Sequence, residues 1–178
     1  VKPGTDELIL NQQSTTANSD ESQVQFALDN ANTNKVPTML YFMPGRKNEV
    51  INSTIFLYKA LDYYSREFSS FPFTSYTLLF VDDLPCEICT FAGMTIVNSK
   101  LLYGPNIIEP MFETTEKLSI ALADQYSNVN ILPKPLNDLW CVSRIAGYMS
   151  SRFLEKLFRV HYYNFIFERH CELLCGLD

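Results

Sequence analysis

The sequence predicts an α+β fold in which a small sheet packs on two central helices. Three observations carry this. Between Glu116 and Leu157 lie two runs of helical periodicity joined by a short loop bearing Pro133 and Pro135. Upstream of them, short runs rich in β-formers alternate with turn signals and one further helical run. The 178 residues are 47% hydrophobic and 13% aromatic, enough for one sizeable core.

Taken in order, Leu8 to Leu10 reads as a short strand, and residues 11–23 are polar and of low complexity. Such a stretch buries too little apolar area to offset the entropy of ordering, so a mobile loop is expected there. Val24, Phe26 and Leu28 alternate as a strand would, and Thr38 to Met43 reads as another, broken by Pro44-Gly45. Asn52 or Ser53 caps an expected helix through Phe68, with Ile55, Tyr58, Leu61, Tyr64 or Tyr63, and Phe68 on its apolar face. Phe71-Pro72-Phe73 ends that helix, Ser75 to Val81 is a strand, and Asp82 to Pro85 is a turn. Phe91 to Asn98 is expected as the next strand, with Leu101 to Tyr103 pairing after it.

The first central helix has a start signal at Thr114-Thr115-Glu116, followed by Leu118, Ala121, Leu122 and Tyr126 at helical spacing. The second opens at Asn137-Asp138 and carries Trp140, Ile145, Ala146, Met149, Phe153 and Leu157 on one stripe. Gly147 lies inside it; a mid-helix glycine costs about 1 kcal/mol against alanine, which points to a close helix contact. Tyr162 to Cys175 reads as a last helix stopped by Gly176.

The central pair resembles the catalytic helices of the gluzincin zinc aminopeptidases. Ala123-Asp124-Gln125-Tyr126 matches the A-H-Q-W end of their H-E-x-x-H-Q-W motif, and Asn137-Asp138-Leu139-Trp140 matches N-D-L-W on their second helix. Ala146-Gly147-Tyr148 matches the A-S-Y that follows, and the spacing between the anchors agrees with the family's. In that register the first zinc His falls on Ile120, the general-base Glu on Ala121, the second His on Asp124 and the third ligand on Ser143. Ala92-Gly93-Met94-Thr95-Ile96 takes the place of G-A-M-E-N, whose Glu holds the substrate's amino terminus, so Thr95 stands for that carboxylate. Zinc needs three protein donors and an open position for water, and only Asp124 could serve. The resemblance implies no catalytic residue, no metal and no cofactor. The vacated site is expected to be packed, with Asp124 bonded to Ser143 or a backbone amide.

A gluzincin fold without its chemistry is similar to the aminopeptidase-like TBP-associated factors of the general transcription factor TFIID. Further support lies in Phe71 to Phe73, Leu79 to Asp82 and Phe153 to Phe158, and the likeness runs from about Val36 to Phe158. It implies that residues 1–47 end an N-terminal β-domain and that 48–178 begin a partial thermolysin- or aminopeptidase-like domain, cut from a longer subunit. It also implies a scaffold role in pre-initiation complex assembly, a nuclear location, other TBP-associated factors as partners, and core-promoter DNA met through the complex. A second expectation is a peptide-binding module that kept the cleft, using the edge of the strand Phe91 to Asn98.

Composition sets limits. A net charge of −6, from 14 basic and 20 acidic residues, argues against a nucleic-acid surface on this chain, which would need clustered Lys and Arg. Arg152, Lys156 and Arg159 form the densest basic group and read as the solvated side of a helix. No run of 18 apolar residues is present, so no membrane span is expected. The odd count of five cysteines suits reduced thiols. Cys86-x-x-Cys89 with Cys171, Cys175, His161 and His170 is the rival zinc reading, and core thiols are its plain alternative.

Overall fold

A computed structural model describes residues 23–26, 36–104, 109–129 and 138–158, with a few isolated positions besides. Five strands form one mixed sheet: β1 Gln23–Phe26, β2 Thr38–Tyr41, β3 Tyr76–Val81, β4 Ile88–Phe91 and β5 Met94–Asn98, in the order β1-β2-β3-β5-β4. β2, β3 and β5 run parallel, while β1 and β4 are antiparallel to their neighbours at the two edges. Helices α1 Lys47–Thr54 and α2 Leu57–Glu67 cross from β2 to β3, and α3 Glu109–Asp124 and α4 Leu139–Phe158 form the central pair. Strict alternation in β3 buries Tyr76, Leu78 and Phe80 on the helix side.

The predicted α+β class is the observed one, and several boundaries change. β1 and β2 join the same sheet as β3 to β5, and Leu40 and Phe42 share its core. The helix expected from Asn52 begins at Lys47 and breaks at Ile55-Phe56. There the Thr54 hydroxyl donates to the Val50 carbonyl at 2.7 Å, a back-bond that bends helices. Phe91 to Asn98 is a hairpin: β4 ends at Phe91, Ala92-Gly93 turns, and β5 begins at Met94. Gly93 takes φ +67°, and a Cβ there would meet the Ser75 carbonyl oxygen at 3.1 Å. Leu101 to Tyr103 is no strand; a 3-10 turn, Ser99–Leu101, follows β5.

α3 begins at Glu109, so Thr114 and Thr115 are buried mid-helix, and the Thr114 hydroxyl donates to the Leu101 carbonyl at 2.8 Å. α4 buries Val142, Ala146, Met149, Ser150, Phe153 and Leu154, whereas Trp140 and Ile145 of the expected stripe are exposed. The two helices meet at Ser119 and Ser150, whose hydroxyls lie 2.5 Å apart, rather than at Gly147. Nothing lies within 4 Å of a Cβ at Gly147. Gly147→Ala is therefore expected to stabilise this chain by about 1 kcal/mol, read from denaturant unfolding; a loss of stability would mean that the space is filled. The loop at 11–23, the strand at 8–10 and most of the helix expected over 162–175 lie outside the described residues.

Candidate functional site

α3 presents Lys117, Ile120, Ala121 and Asp124 along one side, as i, i+3 and i+4 spacing requires. They face Glu87, Ile88 and Thr90 at the outer strand of the β4–β5 hairpin, across an open groove of ≈ 360 Å³. Lys117 spans it, with its amine 2.6 Å from both Glu87 and Glu113. Burial opposes the charge on Lys117, but the hydrogen bonds to these two carboxylates outweigh it and hold its pKa above the ordinary range.

Asp124 is partly buried, and that desolvation raises its pKa, with some relief from the hydrogen bond donated by the Asn128 amide. A carboxylate whose pKa is higher folded than unfolded costs stability when ionised, so through this group alone stability rises as pH falls. The partner is Asn128 on the same turn and not Ser143. Ser143 is exposed on α4 and does not line the groove. The open groove lies between α3 and the β4 side of the sheet, and no residue of α4 lines it.

Thr95 is fully buried in β5, and its hydroxyl accepts from the Tyr76 phenol at 3.0 Å. Burial raises the Tyr76 pKa well above its usual value, keeping the phenol a donor. β5 is paired on both sides, by β3 and β4, so it offers no edge to a peptide; the outer edge belongs to β4. Of the five positions that the resemblance singled out, the groove thus gathers Ile120, Ala121 and Asp124, and leaves out Ser143 and Thr95.

Sequence reasoning missed the residue that ties the two sides together. Gln125, fully buried at the end of α3, accepts from the Gly93 amide at 2.9 Å. Its own amide donates to the Phe91 carbonyl at 3.0 Å, with longer approaches to the Met94 carbonyl and the Thr95 hydroxyl at 3.4 Å each. It clamps the hairpin turn to the central helix. The signal is the matched Gln of the A-H-Q-W run. Glu87 and Lys117 were also missed, although Glu113 and Lys117 stand at i, i+4.

The donor set does not fit a zinc ion: Ile120 and Ala121 offer only hydrocarbon, and Ser143 is a neutral hydroxyl outside the groove. Among the described residues no three His, Cys, Asp or Glu side chains are grouped to hold a metal. Cys86 and Cys89, expected as free thiols, are joined in a disulfide where the chain enters β4, with Cys89 itself in the strand. His161 and His170 of the rival zinc reading lie outside the described residues. No helix among the described residues is long and apolar enough to cross a membrane.

The architecture is that of an aminopeptidase: aminopeptidase A of Legionella pneumophila, solved with aspartic acid, superposes with a TM-score of 0.69 at 13% identity, over 77% of this chain and 17% of that one. By sequence the chain belongs to the family of subunit 2 of transcription initiation factor TFIID. The Saccharomyces cerevisiae protein is 38% identical over 146 residues, 80% of this chain and 10% of that protein. The Schizosaccharomyces pombe protein is 34% identical over 138 residues, 78% of this chain and 12% of that protein. The chain therefore spans about a tenth of the curated relatives it matches. No family model matches it.

Proposed function

We propose that the chain is a non-catalytic structural module, an aminopeptidase fold without its chemistry, serving within subunit 2 of TFIID. Its partners are other TBP-associated factors, its place is the nucleus, and core-promoter DNA is met through the assembled complex. The observation that carries the inactive reading is the hydrocarbon of Ile120 and Ala121 on the groove wall, where a metal ligand and a general base would have to stand. Fold alone does not license the role in transcription; membership of the TFIID subunit 2 family does.

Purified chain incubated with zinc and fluorogenic aminoacyl amides should give no turnover above buffer, and elemental analysis should find well under one zinc per chain. Turnover lost on Asp124→Ala, or one equivalent of zinc that depends on Asp124, would overturn the inactive reading. The role in transcription is tested by affinity purification of the tagged full-length subunit, which should bring down TBP and its associated factors. In a gel-shift titration at physiological salt the chain alone should leave duplex DNA unshifted, because its 20 acidic residues outnumber 14 basic ones. Tight, salt-sensitive binding would mean that the fold gathers a basic patch.

A second reading has one observation in its favour. The groove is open, and beside it β4 is, among the described residues, an edge strand with a single paired neighbour. An extended peptide could add there as a sixth strand. Amide shifts confined to Ile88–Phe91 on titrating peptides would support this, and unchanged spectra at millimolar peptide would remove it.

A further inference from the structure

The one covalent cross-link among the described residues stands at the wall of the groove. Cys86 and Cys89 are bridged, with Cys86 exposed and Cys89 half-buried in β4. Between them sit Glu87 and Ile88, two of the residues that line the groove. The Glu87 carboxylate lies 2.6 Å from the Lys117 amine on α3, yet the Glu87 side chain is 65% exposed. So wet an ion pair contributes little against the entropy of ordering its side chains, unless the backbone beneath it is already held. Here the backbone is held from two directions. From β5, the Asn98 amide donates to the Glu87 carbonyl at 2.8 Å, and the Asn98 side chain donates to the Leu84 carbonyl at 3.3 Å. From β4, the bridge ties Cys86 to Cys89 in the strand. Only two residues separate the cysteines, and their Cα atoms are 6.8 Å apart, within bridging reach. The bonds from Asn98 keep the two sulfurs neighbours when the bridge is open, so it can close again.

We propose that Cys86 and Cys89 form a thiol–disulfide redox site that latches the groove: the bridge holds Glu87 against Lys117, and the dithiol releases it. Reduction is carried out by a small dithiol. Its thiolate attacks the exposed Cys86 sulfur, the S–S bond breaks, and Cys89 leaves as a thiolate that takes up a proton. The reductant's second thiolate then displaces Cys86, which is protonated in turn, and the reductant departs as a cyclic disulfide. Two electrons and two protons have reached the protein. Oxidation is carried out by hydrogen peroxide. The Cys86 thiolate attacks one oxygen, the O–O bond breaks, and a sulfenic acid and one water result. The Cys89 thiolate displaces the sulfenic hydroxyl as a second water, the S–S bond forms, and the two thiol protons end in the two waters. In a compartment kept reducing by glutathione the dithiol is the resting form, and the latch closes on oxidation. The inference rests on the geometry of the groove wall, and it stands apart from the role in transcription and from the loss of catalysis.

The test uses the chain with its three free cysteines removed, as Cys141→Ser, Cys171→Ser and Cys175→Ser, so that only the pair reports. After equilibration in glutathione buffers from oxidised to reduced, acid quenching and alkylation, the peptide holding residues 86–89 should carry two alkyl groups or none, in one two-electron transition. Acetylation read by mass spectrometry reports the latch. Lys117 should label about threefold faster in the reduced chain, a partial rise because its contact with Glu113 at 2.6 Å remains. Lys59 on α2 should label equally in both forms. Glu87→Gln should label fast at Lys117 whether reduced or oxidised. Cys86→Ser with Cys89→Ser should label like the reduced parent and melt with it, which separates release from unfolding. A pair that fails to bridge in oxidised glutathione, a pair that stays bridged in the folded chain under excess dithiothreitol, or equal Lys117 labelling in the two forms would overturn the proposal.

Discussion

Gln125→Leu is expected to lower the unfolding free energy by about 3 kcal/mol, although leucine nearly matches glutamine in size. The side chain is fully buried and makes two hydrogen bonds of good length, one accepted from the Gly93 amide and one donated to the Phe91 carbonyl. Leucine would gain some apolar transfer energy but leave the part-buried Gly93 amide and Phe91 carbonyl without their side-chain partner at once, and each such group costs about 1–3 kcal/mol, toward the low end where water can reach it. The turn is held against shifting to recover them, because the Gly93 carbonyl accepts from the Thr77 amide at 2.9 Å. Melting should fall by roughly 9 °C for a domain of this size. Amide exchange should quicken first across Ile88 to Asn98. Gln125→Glu separates the two halves of the clamp: it keeps an acceptor for Gly93 but loses the donor to Phe91, and it should be no better than leucine. A Gln125→Leu protein within about 0.5 kcal/mol of the parent would show that the hairpin is held by the sheet alone.

That clamp marks how far the sequence could be read. The central helix pair was legible because two short motifs fixed its register, and the alternation of Tyr76, Leu78 and Phe80 made β3 plain. The hairpin was not, since its turn, Ala92-Gly93, lacks the Asn-Gly or Asp-Gly that announces a two-residue loop. Merging β4 with β5 then moved Thr95 from an interior strand to an imagined edge. The start of α3 was misread for a related reason. Thr114 and Thr115 look like caps, yet tertiary packing buries both, and the Thr114 hydroxyl is satisfied by a carbonyl distant in sequence. The groove could not be read at all, because its outer wall, Glu87 to Thr90, is brought to α3 only by the sheet order.

Phe153→Ala should be the most damaging of the α4 substitutions, at about 4 kcal/mol, while Trp140→Ala on the same helix should cost under about 0.5 kcal/mol in this chain. Periodicity put both residues on one stripe, and side-chain size alone would rank the tryptophan first. The structure separates them. Phe153 is 3% exposed, and its ring centroid lies 5.7 Å from those of Tyr63 and Tyr64 and 6.3 Å from that of Phe56. Truncation would remove the apolar area, several tilted ring contacts, and the packing of α4 on α2. The cavity could not collapse easily, because Tyr64 is held by its phenol, which donates to the Ser119 carbonyl of α3 at 3.2 Å. Trp140 touches mostly solvent here, so its removal takes away little. Chemical denaturation of the two variants beside the parent gives both numbers. Equal losses would mean that Trp140 is covered in the isolated chain. A Phe153→Leu protein should recover about half of the alanine loss by refilling the space without the rings, which separates the packing contribution from the aromatic one.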